Sequence, residues 1–285
     1  MTNSKYQLPK DGGLVKDFAP KDIIHRYERM TTRVFDSEYN GVQYVADIIC
    51  RMVHAHAENA SVRDIYEELP PFVLGLATGR TPLGLYRELV KRYQAGEISF
   101  KNVAVYSLDE FYPMKGTDHQ SRNFRIHDQF LKHIDILPEH VHIPDGTVSE
   151  QDISEYCAAY DKSIRKIDLM IIGFGEQGQI GFNEQGSYAK SPTRLVELSH
   201  NSRKTQSNLF FGLENTPKMA ITMGIGTIMR ADKIILMAWG EDKATAVQKI
   251  VEEDISDKIP ASHLQEHPNV ELVIDEIAAE KLTRD

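Results

Sequence analysis

The sequence predicts a single-domain α/β protein in which a doubly wound, mostly parallel sheet is flanked by helices in a Rossmann-like arrangement. Three observations predict this class. Short apolar runs alternate with helix-period segments, turn-forming residues follow the apolar runs, and no linker, repeat or low-complexity tract divides the 285 residues. We therefore expect an N-terminal arm at residues 1–35 and one α/β domain at residues 36–285.

The individual elements follow from the spacing of apolar residues. Residues 1–35 are polar and irregular, whereas Val42, Val45 and Ile49 recur at helical spacing directly after them. Short runs rich in Val, Ile and Leu are typical of buried strands. Helices are predicted at residues 37–58, 83–93, 124–133, 153–167, 225–230, 241–253 and 275–282. Strands are predicted at residues 72–77, 103–108, 169–173, 233–238 and 270–274.

Composition narrows the class of protein. Lys and Arg total 33 against 42 Asp and Glu, and the resulting net charge of -9 argues against binding to nucleic acid or to anionic membranes. Cys50 and Cys157 lack disulfide or metal-ligand spacing, so we expect buried free thiols. The N-terminus lacks the apolar core of a signal peptide, and no run is apolar enough to span a bilayer. A soluble cytoplasmic protein is expected.

The turn after the first predicted strand reads Thr78-Gly79-Arg80-Thr81-Pro82. Ligands of open parallel sheets bind beyond the carboxyl ends of the strands, so a ligand is expected here. Thr81 is expected to cap the next helix with Pro82 in its first turn. Such a helix start attracts phosphate through free N–H groups, and Arg80 adds a charge. A capped helix without a ligand is the alternative, because the Walker pattern is absent.

Two carboxylates, Asp109 and Glu110, follow the strand predicted at residues 103–108. Asp109 is expected to point toward the substrate, where a partly buried carboxylate can act as a general base. The alternative is that one acid caps the next turn and the other is solvated.

A third turn carries the pattern G-x-G-x-x-G at Gly173, Gly175 and Gly178, directly after a predicted strand. A dinucleotide site also needs a helix to begin at the last glycine, whereas residues 179–186 are rich in glycine and turn formers. We therefore expect a loop that wraps a small ligand, with Glu184 as a titratable side chain. A purely structural glycine turn is the alternative.

A fourth turn places Lys243 in the first turn of a predicted helix, where the helix dipole disfavours a cation. A bound anion would explain this position, but solvation with pairing to Glu241 or Asp242 is the alternative, and it is favoured when the position is taken alone. The pairs His140 with His142 and His263 with His267 have no third ligand in the pattern, so no metal site is predicted.

Six blocks taken in order resemble the glucosamine-6-phosphate deaminase (isomerase) family, whose fold group includes the 6-phosphogluconolactonases. The blocks are LGLATGRTPLGLY, SLDEFYPM, GFGEQGQIGFNEQGS, TMGIGTIM, GEDKA and IPASHLQEHPNVELVIDE, and they run from about Phe72 to Leu282. The resemblance implies a sugar-phosphate isomerase/deaminase-like domain at residues 36–285. It also implies a hexosamine-phosphate substrate that is opened from its ring, enolised between C1 and C2, and released as a ketose phosphate with loss of ammonia.

The resemblance also assigns roles. It implies that Asp109 is the base that moves the C2 proton. Thr78, Gly79, Arg80 and Thr81 together with Lys243 match the phosphate cradle, and Gly175 belongs to the substrate-binding loop. Glu184 matches an acid that supports a ring-opening histidine. No metal or organic cofactor is implied, and a homo-oligomer is compatible with relatives that range from monomers to hexamers.

The glycine-rich loop departs from the family pattern G-x-D-G-H-x-A-F-N-E, since Gln177 and Gln179 stand where the pattern has Asp and His. An amide can hydrogen-bond the ring oxygen but cannot shuttle its proton. The loss of this acid is expected to cost roughly 10²- to 10⁴-fold on a closed ring, whereas enolisation of an open-chain substrate by Asp109 can survive.

Two further positions depart from the family. Residues 207–209 lack the phosphate-binding arginine that deaminases place there, and Arg80 or Arg122 is expected to compensate. Val196 stands where allosterically activated bacterial members carry lysine, so allosteric activation is not expected.

The main hypothesis is a deaminase or isomerase homologue with altered ring opening. A regulatory sugar-phosphate-binding protein with little turnover is the alternative. A 6-phosphogluconolactonase-type hydrolase is the third, and it lacks a loop histidine to activate water.

Overall fold

The computed structural model describes residues 27–61 and 70–284 and confirms the three-layer α/β class. Seven parallel strands form the central sheet in the order β1-β10-β9-β6-β2-β3-β5. The strands are β1 (Thr31–Phe35), β2 (Phe72–Leu76), β3 (Val103–Ser107), β4 (Asp109–Tyr112), β5 (Val141–His142), β6 (Leu169–Gly173), β7 (Arg194–Glu197), β8 (Met219–Thr222), β9 (Ile234–Ala238) and β10 (Val270–Asp275).

Helices cover both faces of the sheet and create two hydrophobic cores. They are α1 (Glu38–Ser61), α2 (Leu83–Gln94), α3 (Arg122–Gln129), α4 (Ile153–Ser163), α5 (His200–Gln206), α6 (Ile225–Ile228) and α7 (Ala244–Glu252). Side chains of α1, α2 and α3 pack on one face, and side chains of α4, α6 and α7 pack on the other. The strands are apolar on both sides because both faces are covered.

The strand order fixes where a ligand can bind. From β2 the chain moves outward through β3 to β5 and then returns to β6 on the other side of β2, from which it continues to β9 and β10. The winding therefore reverses between β2 and β6. In open α/β sheets the crevice at such a reversal, beyond the carboxyl ends of the strands, is the usual ligand site.

A second, antiparallel sheet of three short strands lies at this edge, in the order β4-β8-β7. Asp109 and Glu110 were predicted to lie in a turn, but they begin β4, and Asp109 lies opposite Thr222 of β8. Strands of four residues carry too few positions for a periodic signal, and their pairing depends on residues far apart in the chain.

The structure corrects three predictions about secondary structure, which concern residues 31–35, 275–282 and 241–243. Residues 31–35 were placed in the arm, but they form β1 and pair in parallel with β10; residues 1–26 of that arm lie outside the described residues. The helix expected at residues 275–282 is a series of turns, in which the Asp275 side chain accepts from the N–H groups of Gly240 and Ala278. The helix expected from residue 241 begins with a 3-10 turn and becomes α7 at Ala244.

Two other expectations concern burial. Cys50 and Cys157 are buried free thiols, as the sequence predicts. Within residues 27–61 and 70–284, no helix has the length and apolar character needed to cross a membrane.

Candidate active site

A cavity of about 780 Å³ opens beyond the carboxyl ends of β2, β3, β6 and β9. It brings together most of the side chains that the sequence singled out. The predicted residues that line it are Thr78, Gly79, Arg80, Thr81, Asp109, Gly175, Gln179 and Lys243. Gln177 and Glu184 do not line it.

The turn after β2 forms one wall of this cavity. Its conformation differs from the prediction, because α2 begins at Leu83 with Pro82 as the N-cap, and no side chain caps it, so Thr81 is not the cap. The Thr81 carbonyl instead accepts a hydrogen bond of 3.2 Å from the Trp239 indole N–H. A hydrogen bond from the Trp239 side chain to a backbone carbonyl, rather than a side-chain cap on α2, therefore holds this turn in place.

The charged residues at this wall are Arg80, Lys243 and Asp242. Arg80 is 84% exposed and lies 3.9 Å from Asp242, whereas the Lys243 side chain is 12% exposed and lies 3.8 Å from the same carboxylate. Both distances exceed hydrogen-bond length. The two cations are therefore loosely compensated and remain available to an anion.

Asp109 lies on the floor of the cavity and is only 4% exposed. Its Oδ1 accepts a hydrogen bond of 3.4 Å from the Thr78 hydroxyl, and the Nε of Arg122 lies 3.4 Å from the same oxygen. Gly181 of the glycine-rich loop, with φ at +56°, brings its backbone against the other oxygen, Oδ2. A side chain at this glycine would press on the carboxylate.

Burial raises the pKa of Asp109 to about 6. The positive charge of Arg122 opposes this rise, the nearby Glu110 carboxylate adds to it, and the Thr78 hydroxyl lowers the pKa slightly. A carboxylate whose pKa lies close to the working pH is well suited to accept a proton from carbon and to return it.

Glu110 has a different role from its neighbour. Its carboxylate is 1% exposed and receives hydrogen bonds from the backbone N–H of Phe111, Arg122 and Asn123 and from the Ser121 hydroxyl. It therefore compensates the free N–H groups at the start of α3. One acid of the pair caps the next helix, and the other faces the cavity.

Arg122 is held between two aromatic rings beside Asp109. Its guanidinium carbon lies 4.6 Å from the centre of the Phe111 ring and 5.3 Å from that of Phe182. The residue is 6% exposed and forms an ion pair with Asp109. Arg122 was predicted as a possible substitute for the missing phosphate-binding arginine. In the structure it forms an ion pair with the Asp109 carboxylate.

The glycine-rich loop presents the Gln179 amide, and no acid, to the cavity. Gln179 Oε1 accepts a hydrogen bond of 3.1 Å from the Gln177 backbone N–H, and the Gln179 amide packs directly over Gly175, where a Cβ would collide with it. Gln177 itself is exposed. The loop can therefore donate and accept hydrogen bonds, but neither amide can deliver a proton at neutral pH.

Glu184 lies behind this loop. Its carboxylate accepts from the backbone N–H of Ser199, at 3.3 and 3.1 Å, where the chain enters α5. The preceding Asn183 is fully buried, and its amide N–H donates to the carbonyls of Ile180 and Met223. These two side chains fix the loop against α5 and β8.

Four further residues line the cavity, namely Arg125, Thr205, Gln206 and Asn208. Arg125 lies one helical turn after Arg122, but the helix predicted at residues 124–133 left Arg122 out, so their shared face was not predicted. Asn208 lies in the segment that lacks the family's arginine, and Thr205 and Gln206 carried no signal beyond polarity.

Comparison with known proteins gives a consistent result. The family model described as glucosamine-6-phosphate isomerases/6-phosphogluconolactonase matches residues 45–273. A glucosamine-6-phosphate deaminase of Halothermothrix orenii is 42% identical over 216 residues, which cover 75% of this chain and 89% of that protein. A putative glucosamine-6-phosphate deaminase-like protein of Bacteroides thetaiotaomicron is 37% identical over 267 residues, or 93% of this chain; the match spans 39% of that longer protein.

Solved structures show the same relationship. A monomeric glucosamine-6-phosphate deaminase superposes with a TM-score of 0.79 at 35% identity, covering 88% of this chain and 99% of that one. A 6-phosphogluconolactonase from Trypanosoma brucei superposes with a TM-score of 0.68 at 18% identity, covering 88% of this chain and 98% of that one, and thus shares the fold.

Proposed function

We propose that this chain, which belongs to the glucosamine-6-phosphate isomerase/6-phosphogluconolactonase family, acts as a deaminase-type isomerase on a phosphorylated amino sugar. The observation that carries the proposal is Asp109, a buried carboxylate at the cavity floor whose pKa burial raises to about 6. The names of its relatives supply the substrate class.

The proposed chemistry begins with the open-chain aldehyde. Asp109 removes the proton from C2, the electron pair forms a C1=C2 double bond, and the carbonyl pair moves to O1, which takes a proton from water to give an enolamine and hydroxide. Return of the proton from Asp109 to C1 gives a C2 iminium ion, and addition of the hydroxide followed by loss of ammonia gives the ketone. The sum is an amino sugar phosphate plus water giving a ketose phosphate plus ammonia. A base of this kind is worth typically about 10²- to 10⁴-fold.

The remaining predicted residues bind and orient the substrate in this proposal. The turn Thr78 to Thr81 offers backbone N–H groups and Lys243 offers a charge to the phosphate. The Gln179 amide hydrogen-bonds the sugar near Gly175, Gln177 holds Gln179 through its N–H, and Glu184 supports the loop from behind. Ring opening then proceeds without acid from this loop.

We further propose that the protein works in the cytoplasm on a small sugar phosphate, without a metal or organic cofactor. The net charge of -9 disfavours nucleic acid and anionic membranes as partners. A homo-oligomer remains compatible with this function. The domain boundary at residue 36 shifts to include β1, because Thr31–Phe35 is part of the central sheet.

A second candidate function rests on the loop amides. A sugar-phosphate-binding protein needs the cradle but no acid, and Gln177 and Gln179 put two neutral side chains where a reactive pair is expected. Asp109 argues for turnover instead, because an ionised carboxylate that faces the cavity repels an anionic ligand, and a protein that only binds a sugar phosphate does not need it.

The deciding experiment measures ammonia and ketose phosphate released from glucosamine-6-phosphate by the parent, by Asp109→Asn and by the double variant Gln177→Asp with Gln179→His. We expect turnover in the parent that Asp109→Asn abolishes, and a gain in the double variant. No turnover in the parent with binding retained, followed by activity in the double variant, would favour the binding-protein function. No binding of glucosamine-6-phosphate at all would refute both.

A further inference from the structure

Two arginines of α3 face the cavity side by side. Arg122 and Arg125 are three residues apart, share one face of the helix and both line the cavity. The Nε of each is buried and makes no hydrogen bond within the described residues, although the Arg122 Nε lies 3.4 Å from Asp109 Oδ1 in an ion pair. Buried donors without partners are rare in folded proteins, so this pair is expected to have a ligand.

The local charge is not balanced. Asp109 forms an ion pair with Arg122 at 3.4 Å, but within residues 27–61 and 70–284 no carboxylate pairs with Arg125. The other nearby acid, Glu110, accepts from four hydrogen-bond donors, three of them at the start of α3 and the fourth the Phe111 N–H of β4. Burial lowers the pKa of Arg125, and the charge of Arg122 lowers it further. An incoming anion would relieve this repulsion.

The position of the pair separates it from Lys243, the cationic end of the phosphate cradle. Lys243 follows β9, whereas Asp109 and α3 follow β3, and β6 and β2 lie between these strands. Three strand spacings correspond to about 14 Å. The arginines therefore lie at the Asp109 end of the cavity, away from the Lys243 end.

We propose that Arg122 and Arg125 form a second oxyanion subsite, which binds a carboxylate at the end of an open-chain sugar phosphate next to Asp109. The proposal rests on the proposed function for the phosphate end and for the place of Asp109. If Asp109 acts at C2 of the substrate, the two arginines beside Asp109 lie close to C1. A sugar that is oxidised at C1 carries a carboxylate there. Guanidinium groups match a carboxylate through paired N–H donors.

The subsite also fits the loop amides. A sugar acid phosphate is already open, so it needs no acid to open a ring, and the neutral Gln179 amide that lines the cavity does not repel its charge. The inferred ligand class is thus an acyclic sugar acid phosphate, bound as a substrate or as an inhibitor.

The test compares two ligands that differ only at C1. We would measure the Kd of 6-phosphogluconate and of glucitol 6-phosphate by calorimetry at fixed ionic strength, using the full chain. The parent is expected to bind the carboxylate ligand at least tenfold more tightly. Arg125→Gln should reduce that preference to less than threefold with little change for glucitol 6-phosphate, and Arg125→Lys should keep part of it. Arg51→Gln, an exposed arginine on α1, is the matched control.

Each other outcome has a distinct meaning. Equal affinity for both ligands in the parent overturns the subsite but leaves the proposed function intact. An Arg125→Gln variant that weakens both ligands equally, at an unchanged melting temperature, also overturns it, because Arg125 would then bind the phosphate. Failure of both ligands to bind the parent refutes the sugar-phosphate function and the subsite with it.

Discussion

Replacing Arg122 by leucine should raise the pKa of Asp109 above its present value of about 6. The Arg122 Nε lies 3.4 Å from Asp109 Oδ1, where a unit charge contributes on the order of 5 kcal/mol at an effective dielectric constant of ~20. Asp residues beside arginine show pKa values lowered by about 1 to 3, so we expect a rise of that size when the charge is removed. Leucine retains an apolar contact with Phe111 and Phe182.

The assay need not depend on turnover. Carbon-13 NMR of the Asp109 carboxyl group in the parent, in Arg122→Leu and in Arg122→Lys gives the pKa directly. The lysine variant keeps a charge and should stay closer to the parent. In an active protein, the acidic limb of the kcat/KM profile should move to higher pH by the same amount. An unchanged or lower Asp109 pKa in a folded Arg122→Leu variant would refute the electrostatic account.

Four other variants test the site by stability or binding. The raised pKa of Asp109 means that the folded state binds the proton more tightly than the unfolded chain, so stability is lost as pH rises from about 4 through about 6. Asp109→Asn should therefore be about 3 kcal/mol more stable than the parent at pH 8, and similar to it at pH 4, when unfolding by urea is measured. A gain in stability that does not depend on pH would contradict this. Glu110→Gln leaves two buried donors at the start of α3 without an acceptor and should cost about 2 to 4 kcal/mol of unfolding free energy; a loss below about 0.5 kcal/mol would mean that water replaces it. Gly181→Ala puts a Cβ 3.1 Å from Asp109 Oδ2 at φ +56° and should cost about 1 to 2 kcal/mol, whereas an unchanged melting temperature would show that the loop relaxes. Trp239→Phe removes the bond to the Thr81 carbonyl and should cost about 1 kcal/mol and weaken inorganic phosphate binding, while unchanged phosphate affinity would separate the turn from the phosphate.

The central sheet could be predicted from the sequence because its strands are buried on both faces. Runs such as those in β6 and β9 are apolar at nearly every position, and helix-period segments separate many of the central strands. The strand β1 was missed because it lies at the edge of the sheet, where it pairs only with β10, and its sequence TTRVF mixes polar and apolar residues. The helix expected at residues 275–282 failed because the Asp275 side chain captures the N–H groups of Gly240 and Ala278 and holds the segment in turns.

The positions of the candidate site residues could be predicted from local sequence patterns, but their individual roles could not. Local patterns place Asp109, the turn at Thr78 and Lys243 after strands, and the carboxyl ends of parallel strands meet at one edge. The assignment of roles within the pair Asp109 and Glu110 depends on α3, which begins twelve residues after Glu110. No local pattern shows that one carboxylate is used up by backbone N–H groups while the other keeps an arginine partner.

Glu110, α3, Arg122 and Asp109 are connected by direct contacts, so a change at one of them alters the electrostatic environment of Asp109. Glu110 fixes the start of α3, α3 holds Arg122 between Phe111 and Phe182, and Arg122 in turn opposes the rise that burial imposes on the pKa of Asp109. Because Asp109 and Glu110 are adjacent on β4, any shift of α3 changes the position of the Arg122 guanidinium relative to Asp109. The titratable chemistry of the cavity floor therefore depends on β4 and α3, while the glycine-rich loop contributes shape and neutral hydrogen bonds.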